Sequence, residues 1–166
     1  MIKLNFKSLI GFFALLSCLP LQAYIPDLKA PIEVQSDSAE YDTRTGIAKH
    51  LGHVLMNQGT RALHSEELVV HRNQAGHIVL CIAKGNPAFY QGAIETGKPT
   101  LEGQAKEIRF DPIIGLLTLE GDAELLQDNY LFKGPNIIYD LNEKKIKSGV
   151  NHPERTVIVI HPKNNE

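Results

Sequence analysis

Four segments of the chain share an apolar pattern with a period of two residues. They read SAEYD (38–42), ELVVH (67–71), EIRFD (107–111) and NIIYD (136–140). The shared apolar positions are Ala39, Leu68, Ile108 and Ile137, and, two residues later, Tyr41, Val70, Phe110 and Tyr139. Because residues two apart lie on the same face of a β-strand, each segment is expected to be a strand with one apolar face. Arg109, between two of these positions, is expected on the opposite face.

A second pattern begins at Gly52, Gly85 and Gly121. Apolar residues follow at the second and fourth positions after each glycine, and glutamine follows at the sixth: Val54, Met56 and Gln58; Pro87, Phe89 and Gln91; Ala123, Leu125 and Gln127. A lone hairpin is marginal in water, so repeated strand pairs must cover each other's apolar faces. With no helical periodicity after residue 24, the pattern predicts an all-β fold.

The first 23 residues have the composition of a secretory signal peptide. Two lysines precede the apolar run Leu9–Leu16, and Ala23 is a suitable residue before the cleavage point. The run is too short for a good transmembrane span. An alternative is a lipoprotein signal in which Cys18 is acylated. Cleavage after Ala23 predicts a periplasmic product, with one domain over residues 24–162 and a disordered tail at 163–166.

Charge and cysteine content narrow the possible roles. Removal of Lys3 and Lys7 with the signal changes the formal charge from −2 to −4, which disfavours nucleic-acid binding. Charge alone would also not hold such a chain on an anionic membrane. Cys81 would be the only cysteine left, so no intramolecular disulfide is expected. Its apolar surroundings in sequence predict a buried structural thiol rather than a reactive one.

Residues that could carry catalysis or bind a metal are poorly arranged for it. His50 and His53 are three apart, so on a strand they point to opposite faces and cannot easily share a metal. Glu66 and Glu67 are adjacent, so on a strand they also point to opposite faces and make a poor acid/base pair. Nucleophile-elbow, P-loop and dinucleotide-binding motifs are missing from the sequence. We therefore expect no catalytic residues, no metal, no cofactor and no enzyme activity.

Several motifs, in this order, resemble the LptA (OstA-like) family of periplasmic lipopolysaccharide-transport proteins. They are PIEVQSDSAEYD (31–42), GHVLMNQGTRALHSEELVV (52–70), GNPAFYQ (85–91) and LEGDAELLQDNYLFKGPNIIYD (119–140), and the resemblance extends from about Pro31 to Pro162. The chain departs from the family pattern at His53 and Asp122, where Asn is common, and at Ser65-Glu66, where Ala-Asp is common. The resemblance implies a β-jellyroll, a V-shaped slot of antiparallel strands open at both ends.

The resemblance also implies a function. Such proteins carry lipopolysaccharide from an inner-membrane, ATP-driven extractor to an outer-membrane translocon, and hold its lipid A acyl chains in the slot. The implied partners are lipopolysaccharide, an inner-membrane LptC-like component, an outer-membrane LptD-like translocon and further copies of the chain, associated head to tail.

Site residues follow from the resemblance together with the period-two pattern. Ile32, Val34 and Phe89 match inward-facing lipid-contact positions of the family. For the other candidates, a role in core packing fits the pattern as well as lipid contact does: Met56, Leu68, Ile108, Phe110, Leu125, Ile137 and Tyr139. The first strand, Pro31–Gln35 with Ile32 and Val34, and the last, residues 155–160 with Val157 and Val159, are predicted to be unblocked edges available for strand pairing between molecules.

Three other classes stay open at this point. The chain could be a different lipopolysaccharide-transport component of the same fold, a β-sandwich adhesion or carbohydrate-binding module, or a hydrolase. A carbohydrate-binding module should expose aromatic residues for sugar stacking, whereas the sequence contains no Trp and five Tyr.

Overall fold

The computed structural model describes residues 30–93 and 100–162, and all regular structure in these ranges is β. The predicted signal peptide, including Cys18, and the predicted tail at 163–166 lie outside them. The strands are β1 (Glu33–Gln35), β2 (Ser38–Asp42), β3 (Ile47–Gln58), β4 (Arg61–Arg72), β5 (Ile78–Ala93), β6 (Thr100–Asp111), β7 (Leu116–Gln127), β8 (Tyr130–Asp140), β9 (Lys145–Ser148) and β10 (Val157–Ile160). The prediction of an all-β fold is confirmed.

The strands form a single antiparallel sheet in the order β1-β3-β4-β5-β6-β7-β8-β10. Each edge consists of two short strands. At one edge, β1 pairs with the second half of β3 and β2 pairs with its first half. At the other, β10 and β9 pair with the two halves of β8. The described sheet does not close on itself, so it has two free edges.

A row of irregularities, which we call the crease, crosses the sheet at the same level in successive strands. Register shifts fall between Leu51 and Val54, His64 and Glu67, Lys84 and Ala88, Gln104 and Glu107, and Glu120 and Ala123. Bulges of this kind bend a strand. Gly52 and Gly121, in the crease, have φ of 74° and 78°. Glycine adopts this left-handed conformation at little cost.

The crease folds the sheet into two half-sheets that face each other. Half-sheet A contains β2, β9 and residues 47–51, 67–72, 78–84, 107–111, 116–120 and 136–140. Half-sheet B contains β1, β10 and residues 54–58, 61–64, 88–93, 100–104, 123–127 and 130–134. A Cβ added to Gly103 in half-sheet B would lie 3.1 Å from Leu119 Cδ2 in half-sheet A, so the two inner faces are in contact.

The inner faces carry the apolar columns seen in the sequence. The strand register places Ala39, Leu68, Ile108 and Ile137 in one row across half-sheet A, and Tyr41, Val70, Phe110 and Tyr139 in the row beside it. Arg109 pairs with Ile82 and Thr118 on the outer face, as predicted. The main repeat is therefore confirmed.

The prediction that Phe89 faces inward is wrong. Three residues lie in the register shift of β5, between Lys84 and Ala88, whereas β3 and β7 have two at this level. Because side chains alternate along a strand, one extra residue moves every following side chain to the other face. Ala88 and Tyr90 therefore face inward. Phe89 lies outside, with its ring centroid 6.3 Å from that of His64.

Candidate functional site

Between the half-sheets lies a slot with a cavity of about 300 Å³. Residues of both half-sheets line it: Ile32, Met56, Gln58, Arg61, Leu63, His77, Ile78, Cys81, Ala83, Tyr90, Leu101, Ile108, Phe110, Pro112, Leu117 and Leu141. Several of them, including Gln58, His77 and Leu141, are at the ends of strands or in the turns farthest from the crease. The cavity therefore lies toward the open side of the V.

The sizes of the inward side chains explain the V shape. The row at the crease end of half-sheet B, which includes Ser65 and Ala105 of the crease itself, holds Val54, Ser65, Ala88, Ala105 and Ala123, all small and buried. The next row outward is mostly larger, with Met56, Leu63, Tyr90, Leu125 and Phe132 around the single small residue Gly103. Small side chains let the half-sheets approach at the crease, and larger ones hold them apart farther out.

The slot is chemically suited to flexible apolar chains. Most of its lining is aliphatic or aromatic, and transfer of ligand methylenes from water to such a surface contributes about 0.8 kcal/mol for each methylene. Its polar lining residues are Gln58, Arg61, His77, Cys81 and Tyr90.

The Cys81 thiol lines the slot and is partly buried. Burial raises the pKa of the thiol to about 11, although the nearby positive charge of Arg72 acts in the opposite direction. The thiol therefore stays protonated at neutral pH and contributes a small apolar surface rather than a nucleophile.

The structure sorts the predicted lipid-binding residues into four groups. Ile32, Met56, Ile108 and Phe110 line the cavity. Val34 packs against the edge of the buried core. Four others belong to the buried core and are at most 1% exposed: Leu68, Leu125, Ile137 and Tyr139. Phe89 is on the outer face. Sequence reasoning missed Arg61, because it follows a Gly-Thr turn, and Tyr90, because the extra residue in β5 was not recognised.

The apolar inner face continues to the edge formed by β10. Phe132 pairs with Ile158 and Tyr130 pairs with Ile160, and the two aromatic rings are stacked with centroids 6.5 Å apart. All four residues of β10 are exposed, by 37–59%. Its far side has no partner strand among the described residues. The predicted edge residues thus lie at opposite ends of the sheet, Ile32 and Val34 at one and Val157 and Val159 at the other.

Two histidines outside the slot lining form polar pairs with nearby side chains, one exposed and one part-buried. His53 Nδ1 lies 2.7 Å from Asp37 Oδ2, and His50 Nδ1 lies 3.2 Å from Ser36 Oγ. In residues 30–93 and 100–162, no three His, Cys, Asp or Glu side chains are grouped so that they could hold a metal ion. The same ranges contain no helix of the length and apolarity that a membrane crossing requires.

Known proteins resemble the chain along most of its length. The Pseudomonas aeruginosa protein named lipopolysaccharide export system protein LptH is 28% identical over 82% of this chain and 82% of its own. The Escherichia coli K12 protein named lipopolysaccharide export system protein LptA is 28% identical over 96% of this chain and 86% of its own.

The folds agree as well. The crystal structure of LptH from P. aeruginosa, described as the LptA-homologous periplasmic component of a lipopolysaccharide transport device, superimposes with a TM-score of 0.73 at 25% identity. The match covers 82% of this chain and 99% of that one. Residues 33–145, which include the crease and most of the slot, match the family described as LptA/(LptD N-terminal domain) LPS transport protein. The chain belongs to the LptA/(LptD N-terminal domain) family of lipopolysaccharide transport proteins.

Proposed function

We propose that this protein is a periplasmic carrier of lipopolysaccharide, which holds the acyl chains of lipid A in the slot and catalyses no reaction. The apolar slot between the half-sheets is the observation that carries the proposal, since its lining offers a surface for methylenes. The names of the relatives and of the matching family support it. The energy for transport would come from the partners, and the slot would bind and guide the lipid.

Two adjacent residues of β3 provide a matched test. Met56 lines the slot, whereas Leu55 pairs with His64 on the outer face. Met56→Gln puts an amide among acyl methylenes and should weaken lipid A binding about tenfold, because an unsatisfied buried polar group costs about 1–3 kcal/mol. Leu55→Gln should leave the affinity unchanged. Equal losses in the two variants, measured with fluorescent lipid A, would contradict binding in the slot.

The free edges support a second part of the proposal, that subunits associate head to tail. β10 of one molecule would pair with β1 of the next, since exposed edges readily add strands, and the slot would then continue between subunits. The same edges would serve an LptC-like partner at the β1 end and an LptD-like partner at the β10 end. Truncation after Glu154 removes β10 and should abolish concentration-dependent oligomers in light scattering while the monomer stays folded. Unchanged oligomers would refute this pairing.

Location in the periplasm can be tested by fractionation. Osmotic shock of cells that produce the full chain should release the mature protein, with Tyr24 as its first residue by mass spectrometry. Recovery only in membranes, with an acylated Cys18, would instead support the lipoprotein alternative.

A further inference from the structure

The described lining of the slot carries one permanent positive charge, although the protein as a whole is slightly acidic. The full sequence has a formal charge of −2. The described lining of the slot contains no Asp or Glu, and its only permanently charged side chain is Arg61. An anion that enters the slot therefore meets the guanidinium group of Arg61.

Arg61 is held in a buried position on the wall of half-sheet B. It is the first residue of β4, pairs with Gln58 across the turn and is only 9% exposed. A Cβ on Gly92 would lie 2.8 Å from Arg61 Cγ and 2.7 Å from Tyr90 Oη, so this glycine leaves the space that both side chains use. Arg61 already interacts within the protein, and its five N–H donors allow a ligand oxyanion to bind as well.

His77, directly before the part of β5 that belongs to half-sheet A, lines the same cavity. Its backbone is fixed by Asn73. The His77 N–H donates to Asn73 Oδ1 at 3.0 Å, and the His77 carbonyl accepts from the Asn73 N–H at 2.9 Å. The side chain is exposed, at the end of the slot wall where β5 begins. Arg61 and His77 thus offer nitrogen donors from the two opposing walls.

From this arrangement we infer that the slot mouth binds the phosphomonoester headgroup of an acylated ligand, with Arg61 and His77 as the donors. The inference rests on the proposed function, and it adds where the charged end of the ligand lies. Guanidinium groups bind phosphate through two parallel N–H···O bonds, which are stronger than neutral hydrogen bonds. Acyl chains would extend from this point along the apolar lining.

The test compares lipid A with both phosphates and the same lipid after enzymatic dephosphorylation. Arg61→Gln removes the permanent charge and should weaken binding of phosphorylated lipid A about tenfold or more, as expected for a charged hydrogen bond worth about 1.5–3 kcal/mol. Its affinity for the dephosphorylated lipid should change less than twofold. Arg61→Lys should restore part of the loss. His77→Gln, at an exposed position, should also weaken binding of phosphorylated lipid A, by a smaller factor. If Arg61→Gln does not fold, this variant provides the test.

Arg109→Gln is the matched control, because Arg109 is an outer-face arginine paired with Glu107. It should bind both lipids as the wild type does. Equal weakening of both lipids by Arg61→Gln, or no change with either, would overturn the headgroup site. Binding of inorganic phosphate alone as tightly as phosphorylated lipid would also overturn it in favour of a free-phosphate site. If the wild type binds neither lipid, the proposed function itself fails. Equal affinity of the wild type for the two lipids refutes the headgroup site alone.

Discussion

Gly103 and Leu119 lie close together only if the sheet is folded at the crease. Leu119 pairs with Ile108, which is five residues from Gly103 along β6. In a flat sheet this separation would be about 17 Å at 3.4 Å per residue. In the structure, a Cβ on Gly103 would lie 3.1 Å from Leu119 Cδ2 and 3.2 Å from Leu125 Cδ1. We therefore expect substitutions at positions 103 and 119 to be energetically coupled.

The expected magnitudes follow from these distances. Leu119 is 1% exposed, so Leu119→Ala should lower the free energy of unfolding by about 3 kcal/mol. Gly103→Ala alone should cost about 1 kcal/mol, because overpacking against Leu119 outweighs the lower chain entropy of alanine. In the Leu119→Ala protein only the contact with Leu125 remains, so Gly103→Ala should cost much less than in the wild type. The coupling energy should be about 1 kcal/mol.

Equilibrium unfolding in urea, followed by far-ultraviolet circular dichroism, gives the four free energies. The control pair is Gly103→Ala with Val70→Ala, since Val70 is not among the atoms nearest to the added Cβ. That pair should be additive to within about 0.5 kcal/mol. Additivity of the Gly103 and Leu119 substitutions as well would refute the packing of the two half-sheets face to face.

Three further predictions concern single positions. Alkylation of Cys81 in the native protein should be slow at pH 8 and accelerate toward pH 11, because burial raises the pKa of the thiol to about 11; a rate that levels off near pH 9 would show a solvated thiol. Gly52→Ala should destabilise the fold more than Gly76→Ala, since both have positive φ but only at Gly52 would the Cβ collide with Asp37; equal losses in urea unfolding would argue against that collision. Asp37 raises the pKa of His53, so this pair should stabilise the fold at pH values below the unfolded pKa and lose its effect as pH rises through the folded value; an NMR titration in which Asp37→Asn leaves the His53 pKa unchanged would contradict the pairing.

Much of the fold could be predicted from the sequence because the apolar pattern repeats with a fixed period. The rows through Leu68 and Ile108, and through Val70 and Phe110, lie where the aligned segments predict them. Each strand pairs mainly with the next strand in the chain, so local alternation was sufficient to assign the faces.

The faces of β5 beyond the crease could not be assigned in this way. Phe89 and Tyr90 are adjacent aromatic residues, so either fits an apolar column. The choice depends on the number of residues in the bulge, which hydrophobicity does not encode. Arg61 was missed for a related reason, since a charged residue after a turn is usually solvated, and only the folding of the sheet at the crease makes it part of the slot.

Site-specific photocrosslinking at Phe89 and Tyr90 shows which face of the sheet holds the lipid. A photoreactive phenylalanine analogue at Tyr90 would lie in the slot, and the same group at Phe89 would lie on the outer face, one residue away. With lipopolysaccharide supplied in cells, we expect lipid adducts at position 90 and few or none at position 89. Equal adducts at both positions, or adducts at position 89 alone, would contradict a carrier that holds its lipid between the two half-sheets.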